Sequence, residues 1–227
     1  MDINIIKARS YYYEFFAIPF FFYENETKFE VWKDQLAVLK NSAITPEDSE
    51  FFANLEKFSF GEFKAEQNTA LFDFSYANVP LSASFYDEGR DEGAMKILVL
   101  NTLKKSKFRR NNEFCKDSED FIGFIFYFMS SLLKDELQRG SNFLSTELFV
   151  NVINKFIDEF ISLLLEHKGT NFFKNLANLM KSFFALERSL LAVDAPKFEK
   201  SVAKEALARL PYENRFKNPK NVFKLDK

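Results

Sequence analysis

The sequence predicts an all-α protein, folded as a single globular bundle of roughly eight to ten helices. Apolar residues recur at helical spacing in several long segments, and no run of alternating apolar and polar residues competes with them. Glycine and proline number only six each, which is too few for the turn-dense chain of a β-sandwich or barrel.

Two helices are predicted between residues 27 and 60. The second begins at Thr45-Pro46, because threonine caps helices and proline suits their first turn. Phe51 to Phe58 supplies its buried face. The first helix ends at Asn41-Ser42 and has a four-residue apolar stripe: Phe29, Trp32, Leu36 and Leu39.

The segment from Asp73 to Gly93 has no sustained period, so we predict a long loop there. Loops of this length inside compact domains are uncommon and often functional. Residues 94–103 then resume a helical pattern, followed by a basic stretch from Lys104 to Asn112.

Three strong helices follow. Their apolar stripes cover residues 122–133, 149–164 and 173–184. Polar residues that favour helix starts precede them, namely Ser118-Glu119-Asp120, Ser145 and Thr170. The middle helix is predicted to stop at Lys168-Gly169, with glycine as a left-handed cap.

The end of the chain differs in composition. Residues 196–227 hold nine basic and four acidic residues, a net +5, which leaves −7 for residues 1–195. We therefore divide the chain into a helical domain, residues 1–195, and a basic C-terminal helix and tail, residues 196–227. The predicted helix runs from Lys197 to Leu210, and the tail is either a solvated terminus or folds back to compete for an acidic groove.

Composition excludes several classes. A net charge of −2 does not favour a nucleic-acid binder. The single Cys115 suits a reducing cytoplasm. The N-terminus lacks the basic region of a signal peptide, and the apolar run from Phe15 to Tyr23 is too short to span a bilayer. We expect a cytoplasmic protein without a membrane span.

No enzyme is predicted. Nucleotide-binding glycine loops and zinc-ligand motifs are missing from the sequence. A serine triad would depend on His167, the only histidine, which falls near a predicted helix end, where histidine often contacts the last carbonyls. We expect no catalytic residue, no metal and no cofactor.

Two acidic segments remain as the candidate site. The first covers residues 78–89 and the second residues 117–121. The carboxylates grouped with them are Asp87, Glu88, Asp91, Glu92, Asp117, Glu119 and Asp120, with Arg90 as the main countercharge. Carboxylates beside apolar residues suit a partner with arginines and an apolar stretch, because arginine forks carboxylates. The alternative interpretation is that these acids are solvated or complement a helix dipole.

These segments resemble the TorD/DmsD/NarJ family of maturation chaperones for molybdenum-containing redox enzymes. Pro80, Ser84 and Tyr86 match its proline followed by serine-x-aromatic, and Phe128-Met129 follows the second segment at the family distance. The resemblance covers about residues 67–187. The chain departs from the family's Glu-Pro-x-Asp-His pattern, because Ser118 stands for the proline and Phe121 for the histidine, while Asp120 is kept.

The resemblance implies a TorD-like, non-enzymatic chaperone. It would bind the twin-arginine signal peptide of a molybdoenzyme precursor, of formate dehydrogenase or S-/N-oxide reductase type, and support folding and cofactor insertion before export by the twin-arginine (Tat) pathway. A monomer or domain-swapped dimer is expected, without nucleic acid. The predicted partner-binding residues are Phe72, Pro80, Ser84, Tyr86, Asp87, Glu88, Asp117, Glu119, Asp120 and Phe121.

Several alternatives stay open. Phe72 and Phe121 also suit a core, Pro80 and Tyr86 also suit a loop anchor, and Asp120 also suits a helix start. A different function class is a generic helical scaffold or adaptor, whose basic tail would bind an acidic partner or nucleic acid. The sequence does not identify the client.

Overall fold

The computed structural model describes residues 2–73, 78–111, 113, 115–140, 142–197 and 199–209. Its first half contains α1 (Ile3–Ala17) with a 3-10 turn (Ile18–Phe20), α2 (Thr27–Leu39) with a 3-10 turn (Lys40–Ser42), α3 (Asp48–Glu56), α4 (Phe60–Gln67) with a π-turn (Asn68–Phe72), α5 (Ala83–Glu88) and α6 (Ala94–Lys105). The second half contains α7 (Ile122–Arg139), α8 (Leu144–Leu148), a π-turn (Phe149–Ile153), α9 (Asn154–Glu166), α10 (Phe172–Leu191) and α11 (Val202–Ala208).

The all-α prediction is confirmed. Because α8, its π-turn and α9 follow one another without a break, the described residues form ten helical rods. The only extended pairing in this part of the chain is an isolated bridge between Ser82 and Phe121.

Aromatic side chains fill the core. The helix α1 packs along α7, and α10 packs on α3, α4 and α9. Tyr13 of α1 meets Phe183 of α10 edge to face, with ring centroids 5.1 Å apart. The ring of Trp32 stacks on Phe15 at 5.1 Å. Much of the chain's large phenylalanine content is therefore explained by packing.

A buried ion pair ties α1 to α10. The guanidinium of Arg9 donates to both carboxylate oxygens of Glu187, over 2.5 and 3.0 Å. The hydroxyl of Tyr13 donates to the same carboxylate over 2.8 Å. Burial opposes the charge of Arg9, but the carboxylate outweighs it and raises the pKa of Arg9. Arg9 is thus part of the core.

The prediction of a loop throughout residues 73–93 is wrong, because α5 lies within it. This helix has only six residues, fewer than two turns, so its apolar period is too short to detect. It ends at Gly89, whose φ of 69° is the left-handed conformation that glycine adopts readily.

Three predicted caps are also wrong. The helix α8 starts after Phe143, and the hydroxyl of Ser145 instead donates to Glu136 over 2.6 Å. Phe121 holds the position before α7, so Asp120 does not cap it. Gly169 is not among the described glycines with positive φ. Ser145 and Asp120 form hydrogen bonds with other polar side chains instead of capping their helices.

Of the two helix starts predicted at threonines, the one at Thr45 lies too early and the one at Thr170 has the expected capping hydrogen bond. The helix α3 begins only at Asp48, whose carboxylate accepts the backbone N–H of Thr45 over 2.9 Å. The hydroxyl of Thr170 accepts the N–H of Phe173 over 3.1 Å and so satisfies the first turn of α10.

The C-terminal helix is shorter than expected. It covers Val202–Ala208, and its start is capped by Ser201, whose hydroxyl accepts the N–H of Lys204 over 2.9 Å. It packs on α5. The predicted tail after residue 209 lies outside the described residues, and the division of the chain at residue 195 stays a prediction.

Candidate functional site

The two predicted segments meet at a short antiparallel contact. The N–H of Ala83 donates to the carbonyl of Asp120 over 2.8 Å, and the N–H of Ile122 donates to the carbonyl of Leu81 over 2.8 Å. This contact fixes the start of α5 against the start of α7. Side chains separated by almost forty residues in sequence therefore share one site.

Asp120 lies at the centre of this site and is fully buried. Its Oδ2 accepts the hydroxyl of Ser82 over 2.7 Å and the N–H of Glu92 over 3.1 Å. Its Oδ1 is buried and has no hydrogen bond of normal geometry to any described residue. Burial alone would raise the pKa of Asp120, but the hydroxyls of Ser84, Ser82 and Ser118 beside it outweigh burial and lower the pKa.

Glu92 holds a strained position next to this carboxylate. Its φ of 57° is the left-handed conformation, which costs a non-glycine residue about 1 kcal/mol or more. The conformation aims its N–H at Asp120, while its side chain pairs with Lys96 over 3.0 Å. The fold thus tolerates strain at this point.

An open cleft of about 480 Å³ lies over Asp120. Four carboxylates line it beside apolar side chains, and the described lining contains no basic residue. We call it the acidic cleft; it is lined by Leu71, Phe72, Asn78, Val79, Pro80, Leu81, Ser82, Phe85, Asp91, Glu92, Asp117, Ser118, Asp120, Phe121 and Leu207.

The carboxylates of the acidic cleft influence one another. Partial burial of its carboxyl group and the neighbouring charge of Asp120 raise the pKa of Asp91. Asp91 therefore takes up a proton more readily than Asp120 as the pH falls. A cation that entered the cleft would favour the charged form of both groups.

Five of the ten predicted site residues line the acidic cleft: Phe72, Pro80, Asp117, Asp120 and Phe121. Phe72 and Phe121 do so while also packing, since Phe72 meets Phe22 at 5.5 Å and Phe121 meets Phe21 at 5.0 Å. Phe72 and Phe121 therefore line the cleft and also pack against other aromatic side chains.

Two more predicted residues are buried behind the wall. The hydroxyl of Tyr86 donates to the carbonyl of Pro80 over 2.8 Å, and its ring lies 6.0 Å from that of Phe160. Ser84 is fully buried beside Asp120. Both hold the cleft in shape, which agrees with the loop-anchor interpretation of Tyr86.

The remaining three predicted residues do not line the cleft. Asp87 is exposed on α5. Glu88 accepts the first N–H of α6, from Ala94, over 2.7 Å, and this bond lowers its pKa. Glu119 pairs with Arg110 over 3.0 Å. Whether any predicted residue contacts a partner stays a prediction.

Sequence reasoning did not select several lining residues. Asp91 and Glu92 belonged to the acidic cluster, but no motif in the sequence singled them out as site residues. Leu207 comes from α11, and nothing in its local sequence points to a cleft formed by residues more than eighty positions earlier. Only the packing of α11 on α5 shows it.

A second, larger groove of about 840 Å³ adjoins the acidic cleft. Phe21 and Phe22 belong to it and contact the cleft residues Phe121 and Phe72 from behind. We call it the aromatic groove; its lining includes Phe21, Phe22, Tyr23, Phe108, Phe124, Tyr127 and Phe128. Rings that line the two depressions are therefore in contact with each other.

Metal-binding clusters and membrane-spanning helices are both missing from the described residues. No group of three or more histidine, cysteine, aspartate or glutamate residues there is placed to hold a metal ion. No helix in the described ranges is both long and apolar enough to cross a bilayer.

An all-helical body with an acidic, apolar-walled cleft is the architecture expected of the maturation chaperones described above. The model of the nitrate reductase delta subunit family matches residues 50–167, just over half of the chain. The chain therefore belongs to this family, of the NarJ/TorD type, and the resemblance seen in the sequence is confirmed. No curated protein matches the chain.

Membership assigns the general role. The protein is a redox-enzyme maturation chaperone, from a family that works with precursors of nitrate reductase-type molybdoenzymes and is not itself catalytic. The matched range includes both segments that meet at Asp120.

Proposed function

We propose that the acidic cleft binds the twin-arginine signal peptide of a molybdenum-containing oxidoreductase precursor. The protein would hold this precursor in the cytoplasm while it folds and receives its cofactor, before export. The observation that carries the proposal is the lining of the cleft, where four carboxylates lie among apolar side chains and no basic residue is among the described lining residues.

Asp120 supplies the main electrostatic argument. Its lowered pKa keeps it ionised at neutral pH, and it is fully buried without an ion-pair partner among the described residues. A buried charge is costly unless it is paired. An arginine that reached Asp120 would repay that cost and could also donate to its unbonded Oδ1.

Asp117 and Asp91 extend the negative surface to the cleft mouth. Both are exposed, so each alone would contribute about 0–1 kcal/mol to an ion pair. Two neighbouring arginines of a signal peptide would thus find one buried and two exposed carboxylates. This arrangement favours arginine over lysine, because only the guanidinium bonds two oxygens in one plane.

The aromatic groove supports the apolar part of the proposal. A twin-arginine signal peptide continues from its arginines into an apolar segment. Two rings of the groove contact two rings of the acidic cleft, and this proximity favours one extended peptide that occupies both. Burial of apolar surface gives about 25 cal/mol per Å² and would supply most of the affinity.

The test is calorimetric titration of the full chain with a twin-arginine signal peptide and with the same peptide carrying two lysines. We expect the lysine peptide to bind at least tenfold more weakly. The variant Asp117→Asn should weaken the arginine peptide about threefold, as expected for an exposed pair.

The matched control is Asp87→Asn, which removes the same charge from an exposed position outside the cleft lining. Its affinity should equal that of the unmodified protein. Equal binding of the arginine and lysine peptides would refute the proposal, as would the absence of binding to every such signal peptide of the native cell.

A further inference from the structure

We propose that the C-terminal segment, residues 210–227, docks in the acidic cleft of its own chain and competes there with the client peptide. The competition rests on the proposed function, whereas the docking does not. Three observations support this proposal: the position of α11 on the body of the protein, the place of Leu207 in the cleft lining, and the charge of the residues that follow α11 in the sequence.

The helix α11 is seated directly on the end of α5. A Cβ atom added at Gly89 would lie only 3.0 Å from the Cβ of Ala206 and 3.7 Å from Val202. Ala203 on the same helix is fully buried. This close approach and the positive φ of Gly89 both favour glycine at the end of α5, against which α11 packs.

Polar contacts to α9 hold the start of α11. The hydroxyl of Ser201 donates to Glu159, and Lys204 pairs with Glu166 over 2.6 Å. The helix itself has only seven residues, too few to be stable alone in water. Its order therefore comes from the body of the protein.

The end of α11 forms part of the cleft wall. Leu207 lines the acidic cleft and also a neighbouring pocket of about 420 Å³ beside His167. Arg209, two residues further on, is the last described residue. Arg215 lies six positions after Arg209, and six residues can span up to about 20 Å, which is ample to reach a cleft whose lining includes Leu207.

The charge of the segment complements the cleft. Residues 210–227 contain five basic and two acidic residues, a net +3, against four carboxylates. In the sequence, Phe216 stands between the basic residues Arg215 and Lys217. This resembles in chemistry the combination of arginine and apolar surface that the cleft is proposed to bind.

Tethering makes weak docking sufficient. A short flexible connection gives an effective concentration on the order of 1 mM. A segment with a dissociation constant of about 0.1 mM would then occupy the cleft about 90% of the time and weaken client binding about tenfold. Any client that binds in the micromolar range would still displace it.

The first experiment places a photoreactive phenylalanine analogue at position 216 of the full chain, without client. We expect intramolecular cross-links to residues 71–92 or 117–121. The control carries the analogue at the exposed Phe143, which lines neither the acidic cleft nor the aromatic groove, and should give no cross-links to these two ranges. Cross-links from position 216 that map only elsewhere overturn the inference.

The second experiment titrates a twin-arginine peptide into full-length Arg215→Ala/Phe216→Ala and into the control Asn214→Ala/Asn218→Ala. We expect the first variant to bind about three- to tenfold more tightly than the unmodified protein, and the control to bind equally. Equal affinity of the unmodified protein and the first variant overturns the competition, whatever the cross-links show.

The two proposals fail separately. If position 216 cross-links to the cleft and no variant binds a twin-arginine peptide, the proposed function is wrong and the docking stands. If the peptide binds all variants equally well, the proposed function stands and the competition is wrong.

Discussion

Two buried carboxylates of this protein, Glu187 and Asp120, differ in the groups that surround them. Glu187, in the core between α1 and α10, receives the guanidinium of Arg9 and the hydroxyl of Tyr13. Asp120, between α5 and α7, receives a serine hydroxyl and a backbone N–H, and the described residues supply it with no cation. Both are fully shielded from solvent.

The difference distinguishes a structural charge from an available one. The charge of Glu187 is neutralised within the chain, so it contributes to the fold and offers nothing to a partner. The charge of Asp120 is maintained by neutral donors and borders an open cleft. A carboxylate held in this way can still gain a cation from outside.

The largest expected effect is the loss of stability when Glu187, the carboxylate in the core, is removed. Glu187→Ala removes the carboxylate that accepts both hydrogen bonds from the buried guanidinium of Arg9, so we expect a loss of about 3–5 kcal/mol in the free energy of unfolding. Chemical denaturation measures it. The control Glu50→Ala, at an exposed position of α3, should change stability by less than about 0.5 kcal/mol. Equal stability of the two variants would contradict a structural role for Glu187.

The second prediction concerns Asp120→Asn. The amide keeps the shape and an acceptor oxygen but removes the charge, so we expect a stability loss of only about 1–2 kcal/mol. The affinity for a twin-arginine peptide should fall at least tenfold, about 1.4 kcal/mol. Denaturation and calorimetry on the same sample separate the two effects. A variant that loses stability as Glu187→Ala does, yet binds normally, would reverse our comparison.

The third prediction tests the support behind the cleft. Tyr86→Phe removes the hydrogen bond to the carbonyl of Pro80, which should cost about 0.5–1.5 kcal/mol of stability. Peptide affinity should change less than twofold, because the hydroxyl does not line the cleft. Thermal unfolding provides the measurement. A tenfold loss of affinity would instead place Tyr86 in direct contact with the peptide.

The smallest expected effect is a pH dependence. The pKa of Asp91 is raised and that of Asp120 is lowered, so acidification from pH 7 protonates Asp91 first. Peptide affinity should then fall about threefold, as expected for one exposed pair. Because the stability that Asp120 contributes is present above its unfolded pKa and is lost only as the pH falls through its lower folded pKa, the fold should persist while affinity declines.

The matched variant for this pH profile is Asp91→Asn. It should bind about threefold more weakly at pH 7 and lose the upper part of the pH dependence. Calorimetry from pH 7 down to about pH 4 would show this. An unchanged profile would mean that Asp91 does not face the bound peptide.

Much of the fold was predictable because the apolar residues of long helices recur in the sequence at helical spacing. The stripes at residues 29–39, 122–133, 149–164 and 173–184 became α2, α7, α9 and α10. Helix ends were less predictable, because a polar side chain near a helix start can form its hydrogen bond with the helix or with another group. Ser145 bonds to Glu136 rather than to its own helix.

The site was predictable only in part. The two acidic segments were found by composition and by family resemblance, and they do meet. The sequence did not show that Tyr86 and Ser84 face inward while Pro80 and Phe72 face the cleft. That distinction depends on the orientation of α5, a helix too short to have a detectable period. The position of Leu207 depends on packing between distant segments.

The most direct test of the account is a double-mutant cycle that combines Asp120→Asn with replacement of each signal-peptide arginine by lysine. If one arginine pairs with Asp120, the affinity losses of the two changes should be strongly non-additive, with a coupling of at least about 1.5 kcal/mol. Additive losses for both arginines would contradict the claim that this buried carboxylate receives the client's charge.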